Sequence, residues 1–211
     1  MRNQKPEALP VRQAGRNQIE NQGLIFVISG PSGSGKTTLL TNLLKSKDLK
    51  NRLVKPISIT TRPKRSGEKN GKDYFFVSQK QFKQEKQAKK ILEWTRYLSY
   101  YYATPKDFVE RQLRKKKNLI LSLDLRGALR VRRLYPKNTI TIFILSPSLA
   151  VLRDRIEKRC NKTKKAEIQK RLKLAEKEIQ ASDRYDYRLV NQDLDETVRQ
   201  LKDIVLRETE S

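Results

Sequence analysis

Eight residues, Gly30-Pro31-Ser32-Gly33-Ser34-Gly35-Lys36-Thr37, carry the most specific chemical signal in the chain. They match G-x-x-x-x-G-K-[ST], a turn that cradles the phosphates of a nucleoside triphosphate when a strand precedes it and a helix follows. Glycines let the backbone close around the anion, and its amides face inward together with a helix N-terminus. Lys36 supplies a point charge for the outer phosphates. Thr37 offers a hydroxyl to Mg²⁺, which bridges two of those phosphates. Both flanks fit: Leu24 to Ser29 (LIFVIS) is a continuous apolar run, and Thr38 to Lys45 has helical character.

A second set of groups follows. Ser58, Arg62, Arg65 and Tyr74 are donors suited to a dianionic phosphate monoester. Guanidinium clamps phosphate in a bidentate fashion, and hydroxyls complete its shell. Glu68 is placed to orient one guanidinium. The chain contains no His, which removes imidazole from both acid–base and metal chemistry. Catalysis must rest on Lys, Arg, carboxylates, hydroxyls and backbone amides.

These groups need a rigid frame. Leu119 to Asp124, Thr139 to Leu145 and Arg188 to Asn191 read as further buried strands. Gly127 to Leu134, Ser148 to Arg159, Lys165 to Ala181 and Leu194 to Arg207 read as helices between them. Strands alternating with helices predict an α/β fold with a parallel sheet flanked by helices, a P-loop NTPase core. The stretch from Ile57 to Leu113 breaks that rhythm. It holds short strands at Ile57 to Thr60 and Tyr74 to Val77, a polar helix from Gln79, and a hairpin of Leu92 to Tyr97 with Tyr100 to Thr104. It reads as a mostly β insertion, with Thr104 capping the helix that Pro105 opens. The basic segment Lys162 to Lys165 interrupts the later helices as a mobile helical lid would.

Composition bounds the rest. The 211 residues suffice for one full-sized domain. No apolar stretch nears the ~20 residues of a membrane span, and residues 1–22 read as a flexible polar tail without a signal peptide. The lone Cys160 fits a reducing, cytoplasmic compartment. The net charge of +25 attracts anions. Arg114 to Lys117 and Lys162 to Lys165 are basic runs able to hold nucleic acid, but no RNA-binding motif accompanies them. Solvated Lys-rich helix faces account for the same charge.

From Gly23 to Leu206 the chain closely resembles guanylate kinases. The resemblance rests on GPSGSGKTT, SITTRPKRSGEKNGKDYFF, LEW at Leu92 to Trp94, and YYATP at Tyr101 to Pro105. It continues through DLRG at Asp124 to Gly127, the Pro147 to Leu152 stretch, and YDYRLVNQDLDE at Tyr185 to Glu196. It implies ATP, Mg²⁺ and GMP as the reacting set, no membrane partner, and a monomer or homodimer. Within 23–211 it implies a core (23–56, 114–154 and 176–211), a GMP-binding lobe (57–113) and a lid (155–175). Residue by residue, Ser58, Arg62, Arg65, Tyr74 and Tyr102 match contacts to the GMP phosphate. Glu93, Thr104 and Asp124 match contacts to the base. Lys36 and Thr38 belong to the triphosphate loop, Arg155 and Asn191 to the ATP side, and Arg159 and Arg171 to lid arginines that spread transition-state charge. Guanine chemistry agrees: its N1–H and N2–H₂ donors suit a carboxylate and its O6 suits a hydroxyl, whereas adenine would turn a lone pair on the carboxylate.

Some positions depart from that pattern. Ser122 stands where a first carboxylate is usual, Arg126 replaces Gln, and Ala103 replaces Gly, so its backbone should avoid positive φ. The loss at Ser122 implies lowered rather than absent turnover. Two other functions stay open at this level. One is a kinase acting on ribose 1,5-bisphosphate. The other is a non-catalytic guanylate-kinase-like binding module, against which the intact P-loop argues.

Overall fold

The computed structural model describes residues 22–49, 52–97, 99–159 and 165–210. The expected tail lies outside them apart from Gln22, as do Cys160 and the basic segment Lys162 to Lys165 apart from its last residue. In chain order the main elements are β1 (Ile25–Ser29), α1 (Lys36–Leu43), β2 (Leu53–Val54), β3 (Ile59–Thr60), β4 (Phe75–Phe76) and α2 (Gln79–Gln87). Next come β5 (Ile91–Tyr97), β6 (Tyr100–Pro105), α3 (Lys106–Arg114), β7 (Asn118–Ser122) and α4 (Leu125–Leu134). β8 (Thr139–Leu145), α5 (Leu149–Arg159), α6 (Lys165–Gln180), β9 (Tyr187–Val190) and α7 (Leu194–Glu210) complete the order.

A five-stranded sheet runs β2-β7-β1-β8-β9, with β2 parallel to β7 and β8 parallel to β9. Its strands are the apolar runs of the sequence: β1 is buried along its whole length, and β8 at all but its last residue. A strand apolar on both faces needs cover on both, and helices supply it. A second sheet, in the order β4-β3-β6-β5, forms within the insertion.

Two compact units emerge, one from the described residues of 26–51 and 140–211, the other from those of 17–25 and 52–139. In the first, α5 and α6 pack through Leu152, Ile156, Leu172 and Ala175. In the second, α2 starts in a capping box: Ser78 and Gln81 bond each other's backbone amides. Its one buried residue, Phe82, enters a cluster with Ile59, Ile91 and Ala103 and stacks on Tyr101 at 4.7 Å between ring centroids. Burying such a ring contributes about 1.5–3 kcal/mol.

A β-bulge decides which way β5 faces. Ile91 pairs with Pro105 and Glu93 with Thr104, so Leu92 is an extra residue on one strand. Without it, alternation would set Ile91 and Glu93 on one face. With it, Ile91 joins the Phe82 cluster, and Glu93, Thr95, Tyr102 and Thr104 share the opposite face.

Two local expectations need correction. Thr104 does not cap α3. The N-cap is Pro105, without a side-chain bond, and the Thr104 hydroxyl donates instead to Glu93. The predicted strand Leu119 to Asp124 stops at Ser122, because the Asp124 carboxylate turns back to accept from Gly127 N and caps α4. Ala103 lies within β6 and avoids positive φ, as its side chain requires. Among the described residues no helix is long and apolar enough to cross a membrane.

Candidate functional site

In the first unit the Gly30–Thr37 turn links β1 to α1. Gly35 is the N-cap of α1 at φ 91°, a left-handed conformation that costs glycine nothing. A side chain there would also collide with Asn191, whose Nδ2 would lie 2.2 Å from the added Cβ. Asn191 leaves β9 and donates to the Ser34 carbonyl at 2.8 Å. Expected beside the ATP, it braces the phosphate turn. Its approach is fixed upstream, where Thr141 of β8 gives its amide and hydroxyl to the Asp186 carboxylate.

Lys36 reaches back over the turn, and its Nζ donates to the carbonyls of Gly30 and Pro31 at 2.5 and 2.8 Å. Thr37 and Thr38 are exposed on the first turn of α1. Helix α5 packs on the turn at Gly33, where an added Cβ would sit 3.2–3.5 Å from Ile156, Leu152 and the Cβ of Arg155. Arg155 is thereby held beside the phosphate turn. Arg159 is the last residue of α5, and Arg171 lies half-buried in α6.

In the second unit Arg62 is the centre of the phosphate-type donors. Its guanidinium gives two parallel bonds to Glu68, at 3.0 and 2.7 Å, and a third to the Pro63 carbonyl. It also lies over the rings of Tyr74 and Phe76, at 5.5 and 5.7 Å. The bidentate pair holds the Glu68 carboxyl below its ordinary range, first through the Arg62 bonds and then through the Arg65 amide. Tyr102 meets Tyr74 edge-on at 6.1 Å. Burial pushes the Tyr74 hydroxyl upward, so it remains a donor. Arg65 is exposed and Ser58 half-buried.

Glu93 is the anomaly of this basic half. Its side chain is 3% exposed, and its Oε1 accepts from the Thr104 hydroxyl at 2.6 Å. Burial raises its carboxyl to about 7; Thr104 opposes the rise, and the nearby Asp124 charge adds to it. The first turn of α4 closes over it. A Cβ on Gly127 would lie 2.9 Å from Glu93 Oε2, so a glycine is needed to let the carboxylate through. Arg130 of α4 fixes the approach by donating to the Leu92 carbonyl at 2.8 Å. Asp124 gives one oxygen to Gly127 N and the other to the Thr95 hydroxyl. Arg126 is exposed and, among the described residues, forms no ion pair with Asp124.

The structure therefore gathers Arg62, Glu68, Tyr74 and Tyr102 into one set, and Glu93, Thr104 and Asp124 into another, within the same unit. Thr95, Gly127 and Arg130 are absent from the sequence-based candidates. Alternation along Leu92 to Tyr97 is the signal that points to Thr95, two residues beyond Glu93.

The guanylate kinase family profile matches residues 22–208. The chain belongs to the guanylate kinase family. A guanylate kinase of Wolbachia sp. subsp. Brugia malayi (strain TRS) is 42% identical to it over 190 residues, covering 90% of this chain and 95% of that protein. The guanylate kinase of Bacillus subtilis (strain 168) is 40% identical over 190 residues, covering 90% and 91%. The crystal structure of guanylate kinase from Anaplasma phagocytophilum superposes with a TM-score of 0.74 at 31% identity, covering 90% of this chain and 88% of that one. That likeness bears out the α/β fold with its parallel sheet. As a member of the guanylate kinase family the chain is a kinase.

Proposed function

We propose that this chain transfers the γ-phosphate of ATP to GMP, giving ADP and GDP. The observation that carries this reading is Glu93, a carboxylate buried in a strongly basic half of the molecule and matched to a hydroxyl. A buried carboxylate without a ligand-derived donor is costly, and guanine offers two donors side by side for it. Thr104, beside it, turns its hydroxyl proton from Glu93 to O6 once the guanine donors take over the carboxylate. Adenine would leave these groups mispaired, at roughly 1–3 kcal/mol per group.

In this mechanism Arg62, steadied by Glu68, and Arg65, Ser58, Tyr74 and Tyr102 bind the GMP phosphate. Asp124 adds a further contact to the base. One phosphate oxygen, already anionic at neutral pH, attacks the γ-phosphorus in line with the departing ADP oxygen, so no general base is required. The Gly30–Thr38 turn binds the triphosphate through its amides. Lys36 exchanges its carbonyl partners for phosphate oxygens. Arg155, Arg159 and Arg171 neutralise charge as the P–O bond to ADP breaks. Keeping water from the reacting phosphates during transfer prevents hydrolysis. Asn191 keeps the turn in shape.

Mg²⁺ fits the donor set. Thr37 is an exposed hydroxyl, and no group of three or more acidic, His or Cys residues gathers to hold a metal among the described residues. That suits a hard cation whose shell is mostly phosphate and water. Thr37 would hold it, and it supplies charge neutralisation on the phosphates.

An ADP-release assay with Mg-ATP and a panel of GMP, dGMP, AMP, CMP, UMP and ribose 1,5-bisphosphate tests the reading. Turnover with the guanine nucleotides is the expected result. Preference for AMP or the sugar bisphosphate would overturn it, and absence of ATP binding by calorimetry would replace the enzyme with a binding module.

A further inference from the structure

Thr95 occupies a position that the scheme above does not use. It follows Glu93 by two residues on β5, beyond the Leu92 bulge, so both side chains leave the same face of the strand. Its hydroxyl donates to Asp124 Oδ2 at 2.5 Å, the short distance of a charge-assisted O–H···O⁻ bond. The other Asp124 oxygen accepts from Gly127 N at 2.8 Å. Strand and helix each hold one oxygen, and the carboxylate cannot rotate without losing a donor. An ionised carboxylate has about four acceptor directions, so two stay open and their aim is set by this pair of bonds. Gly127 marks where they lead: a Cβ there would be 2.9 Å from Glu93 Oε2 and 3.4 Å from Asp124 Oδ1. Both carboxylates border one small space that only a glycine leaves open.

We propose that Thr95 is a positioning residue for purine selectivity, fixing Asp124 beside Glu93 so that a 2-amino group on the acceptor base meets a second carboxylate. The inference rests on the GMP reading. Glu93 can take N1–H and one N2–H of guanine; the second N2–H needs another acceptor. Inosine monophosphate has the same N1–H and O6 but no 2-amino group, so it does not use Asp124. Thr95 therefore separates the two nucleotides, although it touches neither.

The experiment is steady-state kinetics with GMP and with IMP on the full chain, its Thr95→Val variant and its Thr95→Ser variant. Thr95→Val, of nearly the same shape, should lose about tenfold in kcat/KM with GMP, carried by KM. It should change little with IMP and leave the ATP KM alone. Thr95→Ser should restore the preference for GMP. Equal losses on both nucleotides would mark a structural role only and overturn the inference. So would an unchanged Thr95→Val, or a Thr95→Ser as impaired as the valine variant. A parent chain that phosphorylates neither nucleotide would overturn the functional reading and this inference with it. A parent that prefers GMP beside a valine variant with the same preference would overturn this inference alone.

Discussion

In the proposed mechanism the turn around Lys36 and the sheet around Glu93 handle anions by different means. The turn uses backbone: glycines, amides, a helix N-terminus and one ammonium, all within a few consecutive residues. The sheet uses side chains drawn from β3, the following loop, β5, β6 and the start of α4. Their charge differs as well. Residues 52–139 carry 24 Lys and Arg against 7 Asp and Glu, whereas the remainder carries 24 against 16. Backbone amides are the same in every chain and can hold any triphosphate, but they cannot tell one base from another. Side chains can, and the cost is a carboxylate kept out of water among cations. On the proposed reading, affinity for phosphate is thus a local property of this chain, while selectivity is a collective one.

The widest separation of the two regions should come from Lys36→Met. It removes the turn's only side-chain charge, and kcat should fall on the order of 10²–10³-fold. The GMP KM should hold; a parallel rise would break the comparison. Glu93→Gln is the counterpart. It should lower kcat/KM for GMP roughly ten- to a hundredfold with the ATP KM unmoved, measured by ADP release under saturating partner substrate.

Acidity sharpens the contrast. Glu93 titrates near 7, raised by burial and by Asp124 across the α4 turn, with Thr104 and Arg130 opposing. Guanine's donors require the ionised form. The GMP KM should therefore rise as pH falls below 7, by about tenfold between pH 8 and pH 6, and level off above. In the unliganded fold the sign is opposite. The folded carboxyl holds its proton more tightly than the unfolded one, so stability declines as pH climbs from about 4.5 to 7 and is flat beyond. Glu93→Gln should flatten both profiles, leaving in the kinetic one only the GMP phosphate's own titration near pH 6. The smallest effect is expected from Glu68→Gln. It loosens the hold on Arg62 at a partly buried pair, where Arg62 keeps its bond to the Pro63 carbonyl, and should raise the GMP KM by no more than about fivefold, less in high salt.

This difference in construction explains what the residues disclose on inspection. The phosphate turn is contiguous, and its flanking strand and helix announce themselves by an apolar run and by periodicity. Arg62 and Glu68 are six apart in one loop, so their pairing was within reach. The setting of Glu93 was not, because it depends on an extra residue in a strand, on a glycine in another element and on a helix that starts where a strand was expected. Thr104 shows the limit well. A threonine before Pro-Lys-Asp has the form of a helix cap, yet a buried carboxylate across the hairpin competes for its proton and wins. Asp124 shows the reverse, a residue assigned to the sheet whose side chain finds the amide of Gly127 and opens a helix. Asn191 was visible as a polar residue after a strand, but its grip on Ser34 spans most of the chain and leaves no local trace.

The extra residue at Leu92 acts as a parity switch. Matching it with one residue inserted between Thr104 and Pro105 would restore plain alternation and exchange the two surfaces of the hairpin from that point on: Glu93 and Thr95 would turn to the side of Ile91 and Phe82, and Trp94 and Arg96 to the other. Nothing in the glycine turn would register the change. A chain so lengthened would still grip ATP yet no longer distinguish one acceptor from another, and an insertion of one codon would uncouple two abilities that no single point substitution separates so completely.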